Sequence, residues 1–556
     1  MKEQLKIYCV NLRRYVDIEG GDTLGDIASR LGTELGMEPV CAHVNNCNQS
    51  LDFPVFAPKQ VEYFPATSAT GMRVLRRSLC MLLYKAVTLT VPEARLRVEH
   101  SIARGTYCRL LYPDGRGMPS PADTVAKLKE CMKELVEKDL PLRRRERLTT
   151  DVLERFRRQD MPDKVRLLQT LHRLYTVFYT LDGIYDSYPG PLAPSTGMLR
   201  VFDLVPYKEG MLLMGPDKND PSVPAKPVEQ RKMYMAFTEY LRFNKVIQVG
   251  DVGELNMAVQ RRRTADLINV AEALHSKLLG RISDRIAERG ARIVLLAGPS
   301  SSGKTTTAKR LAIQLMTNML TPKMISLDDY FIDREHTPRD ENGELDYESL
   351  YALDLPRLQS DLKRLLAGEE IQLPTYSFEL GKRIEKPRPL SLASDEVLLI
   401  EGIHGLNPEL TGQLPQNELF KVYVSALTTL RIDDHNWIPT TDNRLLRRIV
   451  RDYKYRHTSA LDTIRRWPSV RRGEEKWIFP YQENADAMFN SSLIFELGVM
   501  RDYAIPVLRQ VPHDVPEYAE AYRLIRFLEY FEPIPADQIP ATSLLREFLG
   551  GSSFKY

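Results

Sequence analysis

The sequence is short of several things, and each shortage removes a class of function. Only 6 of its 556 residues are cysteine. All lie in the first quarter (Cys9, Cys41, Cys47, Cys80, Cys108 and Cys131) and none forms a C-x-x-C pair, so neither a zinc knuckle nor a redox motif is apparent and buried free thiols are expected. Met1-Lys2-Glu3-Gln4-Leu5-Lys6 leads into no apolar stretch of the roughly 7–15 residues a signal peptide needs. Nowhere does an apolar run approach the ~18 residues of a membrane span, and a cytoplasmic location is expected. Net charge is nearly absent as well: 77 Lys+Arg against 74 Asp+Glu leave +3, too little for a field that would bind nucleic acid indiscriminately.

What is present suits a soluble multidomain chain. Hydrophobic residues make up 43% and charged residues 27%, and one domain per ~150 residues gives three or four. Residues 1–65 alternate short apolar runs with turn signals around a helical stretch from Thr23 to Leu35, as in a small α+β module. From 70 to 245 helical patterns dominate, clearest at Arg73–Val87 and Ala122–Lys138. Residues 250–290 read as a linker helix, with a long charged amphipathic pattern from 258 to 288. Over 291–510 the strand candidates Arg292–Ala297, Met324–Leu327, Val397–Ile400 and Lys421–Val424 alternate with helical stretches, which predicts an α/β unit: a parallel sheet with helices on both faces. Residues 511–556 form a helical tail, with helices expected at Tyr518–Tyr530 and Ser543–Leu549.

The strongest motif follows the first of these strands. Gly298-Pro299-Ser300-Ser301-Ser302-Gly303-Lys304-Thr305 has the glycines that let backbone amides turn onto phosphate, the lysine that neutralises the β/γ charge and the hydroxyl that meets Mg²⁺. Thr306 continues into a helix whose amino end also favours anions. A nucleoside triphosphate, ATP first, is the expected ligand. Two carboxylates then fall at strand ends, where ligands of open α/β sheets bind: Asp328 after Met324-Ile325-Ser326-Leu327, placed to accept a hydroxyl proton, and Glu401 after Val397-Leu398-Leu399-Ile400, placed as a partner for Mg²⁺ on Thr305. Arg444, Arg447, Arg448 and Arg451 share one helical face that can clamp phosphates.

These motifs, in this order, resemble the uridine kinase family, within the wider group that includes phosphoribulokinase, over roughly residues 290–500. The resemblance implies that Asp328 in Ser326-Leu327-Asp328-Asp329-Tyr330-Phe331 is the catalytic base, with Lys304 assisting. It implies that Asp346 in Leu345-Asp346-Tyr347 holds the sugar, that Tyr376 and Phe378 pack around a base, and that Arg444, Arg448 and Arg451 form a lid supported by Arg456. The family usually has an Asp after the Tyr and a His three past the Phe; here these places hold Ser377 and Gly381, while Arg383 is retained as a substrate-binding candidate. A second lid arginine is replaced by Thr458. Losing a group that pairs a base edge changes discrimination strongly, so the nucleoside, uridine or cytidine first, is less fixed than the transfer itself, and another small hydroxyl compound remains an alternative acceptor.

The amino-terminal half resembles threonyl-tRNA synthetase. Residues 1–65 are similar to a TGS domain and 70–215 to the editing module, through Gly190-Pro191 with Pro194-Ser195-Thr196-Gly197 and through Asp139-Leu140-Pro141-Leu142-Arg143-Arg144-Arg145-Glu146. The histidines and cysteine of that module's hydrolytic site are replaced by Arg77, Met81, Tyr188 and Leu192, so no editing activity is expected. Arg143-Arg144-Arg145 and Arg261-Arg262-Arg263 leave RNA as a weaker partner, in an alternative where ATP gates an RNA-associated regulator.

Overall fold

Strand-forming segments of the computed structural model, which describes residues 4–341, 343–384, 386 and 388–555, assemble into four sheets of three or more strands among the described residues. The first carries strands Arg14–Glu19, Gln4–Cys9, Gln60–Pro65, Pro39–Val44 and Cys47–Gln49 in that spatial order, with one parallel pair between Gln4–Cys9 and Gln60–Pro65. Helix Leu24–Leu31 lies on it because Leu24, Ile27, Ala28 and Leu31 share one buried face. Its start is fixed by a capping box in which Thr23 accepts the Asp26 amide and the Asp26 carboxylate accepts the Thr23 amide.

Residues 70–245 hold two sheets beside the expected helices, an α+β arrangement in which helix residues still outnumber strand residues. Strands Asp203–Tyr207, Gly210–Met214, Gly105–Leu111 and Arg95–Ile102 form one sheet, and Ile184–Asp186, Tyr175–Leu181 and Arg143–Leu148 another. The two pack around helix Ala69–Thr90. Charged residues hid the strand Arg95–Ile102: in Arg95-Leu-Arg-Val-Glu-His-Ser-Ile the polar side chains alternate with buried Leu96 and Val98, a period of two rather than 3.6. The expected continuous helix over 258–288 is also corrected. It is two helices, Val252–Gln260 and Thr264–Arg289, broken at the arginine triplet where Arg262 adopts φ +59°.

The α/β unit is as expected, with one more strand. Thr321–Ser326, Glu396–Glu401, Ile293–Ala297, Leu419–Ser425 and Ala487–Asn490 lie side by side, all parallel. Both faces are buried, as a parallel sheet requires. Val294, Leu296 and Leu399 face helices Lys304–Thr317 and Thr264–Arg289, whereas Ile293, Leu295, Leu398 and Ile400 face helix Leu355–Leu366. The carboxyl-terminal segment joins this architecture: Leu544 and Phe548 enter the core beside helix Lys304–Thr317, and Leu545 and Leu549 enter the one beneath helix Thr440–Tyr455. Its last helix is only Arg546–Leu549, and the preceding one is Tyr518–Leu528. No helix among the described residues is long and apolar enough to cross a membrane.

A buried charge network ties the amino-terminal half to this unit. The hairpin of strands Arg431–Asp433 and Asn436–Trp437 presses against residues 163–188. There Lys164 Nζ lies 2.8 Å from Asp186 and 2.9 Å from Asp433, and His435 Nδ1 lies 2.7 Å from the other Asp186 oxygen. Arg95 and Arg97 meet Asp434 at 2.9 and 2.8 Å, and Arg431 meets Glu99 at 3.0 Å. The positions expected to have lost hydrolytic ligands are packed: Met81 and Leu192 are buried, Tyr188 lies under Lys164, and Arg77 donates to the Pro191 carbonyl at 2.9 Å.

Removing a single partner from such a network leaves uncompensated charge in the interior. Asp186→Ala is therefore expected to cost about 3–5 kcal/mol, read as a fall in Tm. Burial alone would lower the His435 pKa, but the Asp186 carboxylate prevails and the net direction is up. A raised folded-state pKa means that the protonated imidazolium stabilises the fold fully below the ordinary histidine value of 6.5 and that this contribution is lost as pH rises through the folded value. His435→Gln should accordingly flatten the fall of Tm on the alkaline side of pH 6.5.

Candidate active site

The P-loop is shaped by what cannot carry a side chain. A Cβ on Gly298 would lie 2.0 Å from the Val424 carbonyl oxygen of the neighbouring strand, and Gly303 turns the chain into the helix at φ +81°. Lys304 folds back over the loop and donates to the Pro299 carbonyl at 3.2 Å. Thr305 is half-buried in the first helical turn and Thr306 is buried.

The arginine face expected to form a lid divides in two. Arg444 and Arg447 do not stand free for phosphate: their side chains are 1% and 0% exposed and are paired with Glu474 and Glu496, respectively. Each guanidinium also reaches the back of the loop. Arg444 donates to the Ser300 carbonyl at 3.0 Å, and Arg447 to Ser491 Oγ at 3.1 Å and to the Ser491 carbonyl at 2.9 Å. Glu474 in turn accepts the Ser300 amide at 3.1 Å, and Ser491 donates to the Ser302 carbonyl at 2.5 Å. These two arginines hold the loop in shape. Arg448, one turn on, donates to Ser300 Oγ at 2.9 Å and lies 3.2 Å from Asp452. Arg451 also pairs with Asp452, at 2.8 Å. Arg456 approaches Asp452 at 3.5 Å and remains largely exposed.

Asp328 and Glu401 come together at the sheet edge beside Lys304. Burial raises the pKa of Asp328, and the charges of Lys304, Arg456 and Arg451 pull it back. Glu401 is pushed up to about 7 by burial and by the negative charge of Asp328, while it accepts a hydrogen bond from Ser326 Oγ at 3.1 Å. The neighbouring Asp329 is bound to Arg388 at 3.1 Å, which leaves Asp328 as the carboxylate facing the lysine. Asp346 accepts the Glu348 amide at 3.1 Å and so shapes its own turn.

The remaining expected substrate residues line a separate wall. Tyr376, Phe378 and Phe331 make an aromatic cluster with ring centroids 5.1–5.6 Å apart. Arg383 lies behind it, engaged by Asp354 at 2.9 Å and by the Phe331 carbonyl at 3.2 Å. The guanidinium of Arg383 thus braces the wall. At Gly381, φ is +69° and a Cβ would lie 2.6 Å from the Arg334 guanidinium, which donates to the Phe378 carbonyl at 2.8 Å.

Four acids and a histidine of the site carried no motif. Glu474 and Glu496 act through arginines that are distant in sequence. Glu348 is half-buried near Lys304 and Arg448, and its pKa is pushed up to about 7 by desolvation and by Glu474. Burial pushes His404 down to about 4, also beside Lys304. Glu547, from the carboxyl-terminal segment, accepts both the amide and the hydroxyl of Thr306, at 3.2 and 2.6 Å.

A parallel sheet whose central strand runs into a Gly-rich loop and helix, with carboxylates at two neighbouring strand ends, defines the P-loop kinase class of fold. The phosphoribulokinase/uridine kinase family model matches residues 293–494. Uridine kinase of Brevibacillus brevis is 31% identical over 197 residues, 35% of this chain and 83% of that one. The chain belongs, through this region, to the phosphoribulokinase/uridine kinase family. Its amino-terminal region matches threonine–tRNA ligase of Rubrobacter xylanophilus, 29% identical over 189 residues, which are 34% of this chain and only 29% of the ligase. Among solved structures, one titled a possible uridine kinase from Bacillus stearothermophilus aligns over 36% of this chain and 89% of its own, with 21% identity and a TM-score of 0.25.

The division of the arginine face can be measured. Arg444→Ala strands Glu474 without its partner and is expected to cost about 3–5 kcal/mol in chemical denaturation. Arg448→Ala should cost about 1–2 kcal/mol. Equal losses for the two would mean that the face is not divided.

Proposed function

We propose that the protein is a kinase that transfers the γ-phosphoryl group of ATP to the 5′-hydroxyl of a nucleoside, with uridine and cytidine the first candidates. The observation that carries this reading is the meeting of Asp328 with Lys304, Arg451 and Arg456 at the mouth of the P-loop. A carboxylate there can accept the acceptor's proton as its oxygen bonds to the γ-phosphorus and the bond to the bridging oxygen breaks, releasing ADP. Lys304 and the amides of residues 298–306 hold the triphosphate, and Arg448 and Arg451, with Arg456 beside them, stabilise the charge in transfer. Asp346 holds the sugar, and Tyr376 and Phe378 flank the base.

The Thr305 hydroxyl and the Glu401 carboxylate suit Mg²⁺, a hard cation that takes oxygen donors. The fit rests on the crowding of Glu401 against Asp328: an exposed and a half-buried acid that repel one another gain from a divalent cation between protein and phosphate. When bound, the ion neutralises charge on the outer phosphates. Residues 1–65 and 70–245 are read as TGS-like and editing-like modules, the latter without hydrolytic ligands and supporting the kinase unit through the 431–437 hairpin.

A second acceptor class is favoured by one feature. Arg334 fills the space beside Gly381, so the wall near the aromatic cluster presents a guanidinium, which suits a hydroxyl compound richer in acceptor or anionic groups than a pyrimidine nucleoside. A role with RNA has less behind it: Arg143 and Arg145 are exposed while Arg144 is half-buried, on an edge strand.

Transfer of radiolabelled phosphate from ATP to a panel of nucleosides and sugars tests the reading. Asp328→Asn should lower kcat by about 10²–10⁴-fold while leaving ATP binding in place, and Lys304→Ala should remove transfer. Absence of any labelled product across the panel, with Lys304→Ala indistinguishable from the unaltered chain, would sink it.

A further inference from the structure

The chain's own carboxyl-terminal segment reaches into the donor half of this site. Glu547 sits on the short helix Arg546–Leu549 and its Oε2 accepts from the Thr306 amide and hydroxyl, in the first turn of the P-loop helix. That turn is where an anion gains from unpaired amides and from the helix dipole. In such a loop the lysine reaches the outer phosphates, and the amides leading into the helix take the inner ones. The carboxylate therefore stands where the phosphate nearest the nucleoside would bind, and it makes the contacts that phosphate would make.

The segment that carries it is not a loose tail. Leu544, Leu545 and Phe548 are fully buried, in two different cores, and Leu544 packs against Gly303 itself. Arg546 binds the carbonyls of Ala536 at 2.8 Å and Ile539 at 2.6 Å, and Lys454 of the arginine helix binds the Leu549 carbonyl. Withdrawal of the whole segment would expose these apolar side chains together. Rotation about the side-chain bonds of Glu547 moves only the carboxylate.

We propose that Glu547 is a donor-selectivity residue: its carboxylate holds the Thr306 amide and hydroxyl in place of the innermost phosphate of a nucleoside triphosphate. The inner phosphate then binds only once that side chain turns away, whereas the outer two phosphates do not compete with it. The proposal rests on the reading of residues 298–306 as the donor site. It makes the site discriminate between donors by a like-charge contact confined to one phosphate.

Calorimetric titration of the full chain with the magnesium complexes of a non-hydrolysable ATP analogue and of pyrophosphate tests it. Glu547→Gln keeps the shape and removes the charge; Glu547→Ala is the second variant, with Tm recorded for both. The expected result is analogue binding tightened by about tenfold or more in each variant, the scale of a relieved like-charge contact, with pyrophosphate affinity unchanged within about twofold. In steady state the KM for ATP should fall while kcat holds. A merely structural role would move Tm and leave the ratio of the two affinities alone. The proposal is overturned if the variants bind the analogue no more tightly than the unaltered chain, or if pyrophosphate tightens equally. If the unaltered chain binds the analogue and the variants gain nothing, this proposal falls alone; if no form binds it, the donor-site reading falls too.

Discussion

Two buried arginine–glutamate pairs set the shape on which the rest of the site depends. A P-loop must hold its carbonyls outward so that its amides point inward, and a loop of three serines has little side chain with which to enforce that. Here Arg444–Glu474 and Arg447–Glu496 enforce it from behind, binding the Ser300 carbonyl and amide directly and the Ser302 carbonyl through Ser491. Buried pairs of this kind add little net stability over an apolar equivalent, because desolvation offsets their attraction. What they provide is geometry. A charged pair fully hydrogen-bonded to the backbone permits one arrangement of that backbone, while an apolar patch would tolerate several.

The same helix that supplies these arginines follows the hairpin that plugs into the amino-terminal half. Residues 431–437 end three residues before Thr440, where that helix begins. The network of Lys164, Asp186, Asp433 and His435 is thus mechanically close to Arg444. The amino-terminal half would be idle mass if it only covered surface. Packed against this hairpin, it fixes the root of the arginine helix.

Much of this was legible because the signals are local. The loop Gly298–Thr305 occupies eight consecutive positions, and the strand-end acids follow their apolar runs directly, so short windows found both. Two readings failed for the opposite reason. Helical spacing put Arg444, Arg447, Arg448 and Arg451 on one face correctly, but which of them are buried depends on Glu474 and Glu496, 30 and 49 residues away in the chain. Similarly, the strand Arg95–Ile102 was masked by charged residues whose partners Arg431 and Asp434 lie in the hairpin, so that its polar side faces another part of the chain. Glu547 had no local signal either, since its partner Thr306 is 241 residues earlier.

The acids also explain why the site holds its charge in an unsettled state. Asp328, Glu348 and Glu401 gather around Lys304, with Glu547 near Glu401, while two of the nearby arginines are already matched by their own glutamates. Desolvation raises Asp328, Glu348 and Glu401 alike, with Asp328 adding to the rise of Glu401 and Glu474 to that of Glu348, which means that their charged forms are disfavoured as they stand. Such an excess of carboxylate would repel a bare triphosphate. It suits a triphosphate that arrives with a divalent cation, because the cation is attracted by the same acids that would turn away its partner. In the proposed function the acid-rich wall would favour the metal complex, and in the proposed role Glu547 would then discriminate among the complexes that enter.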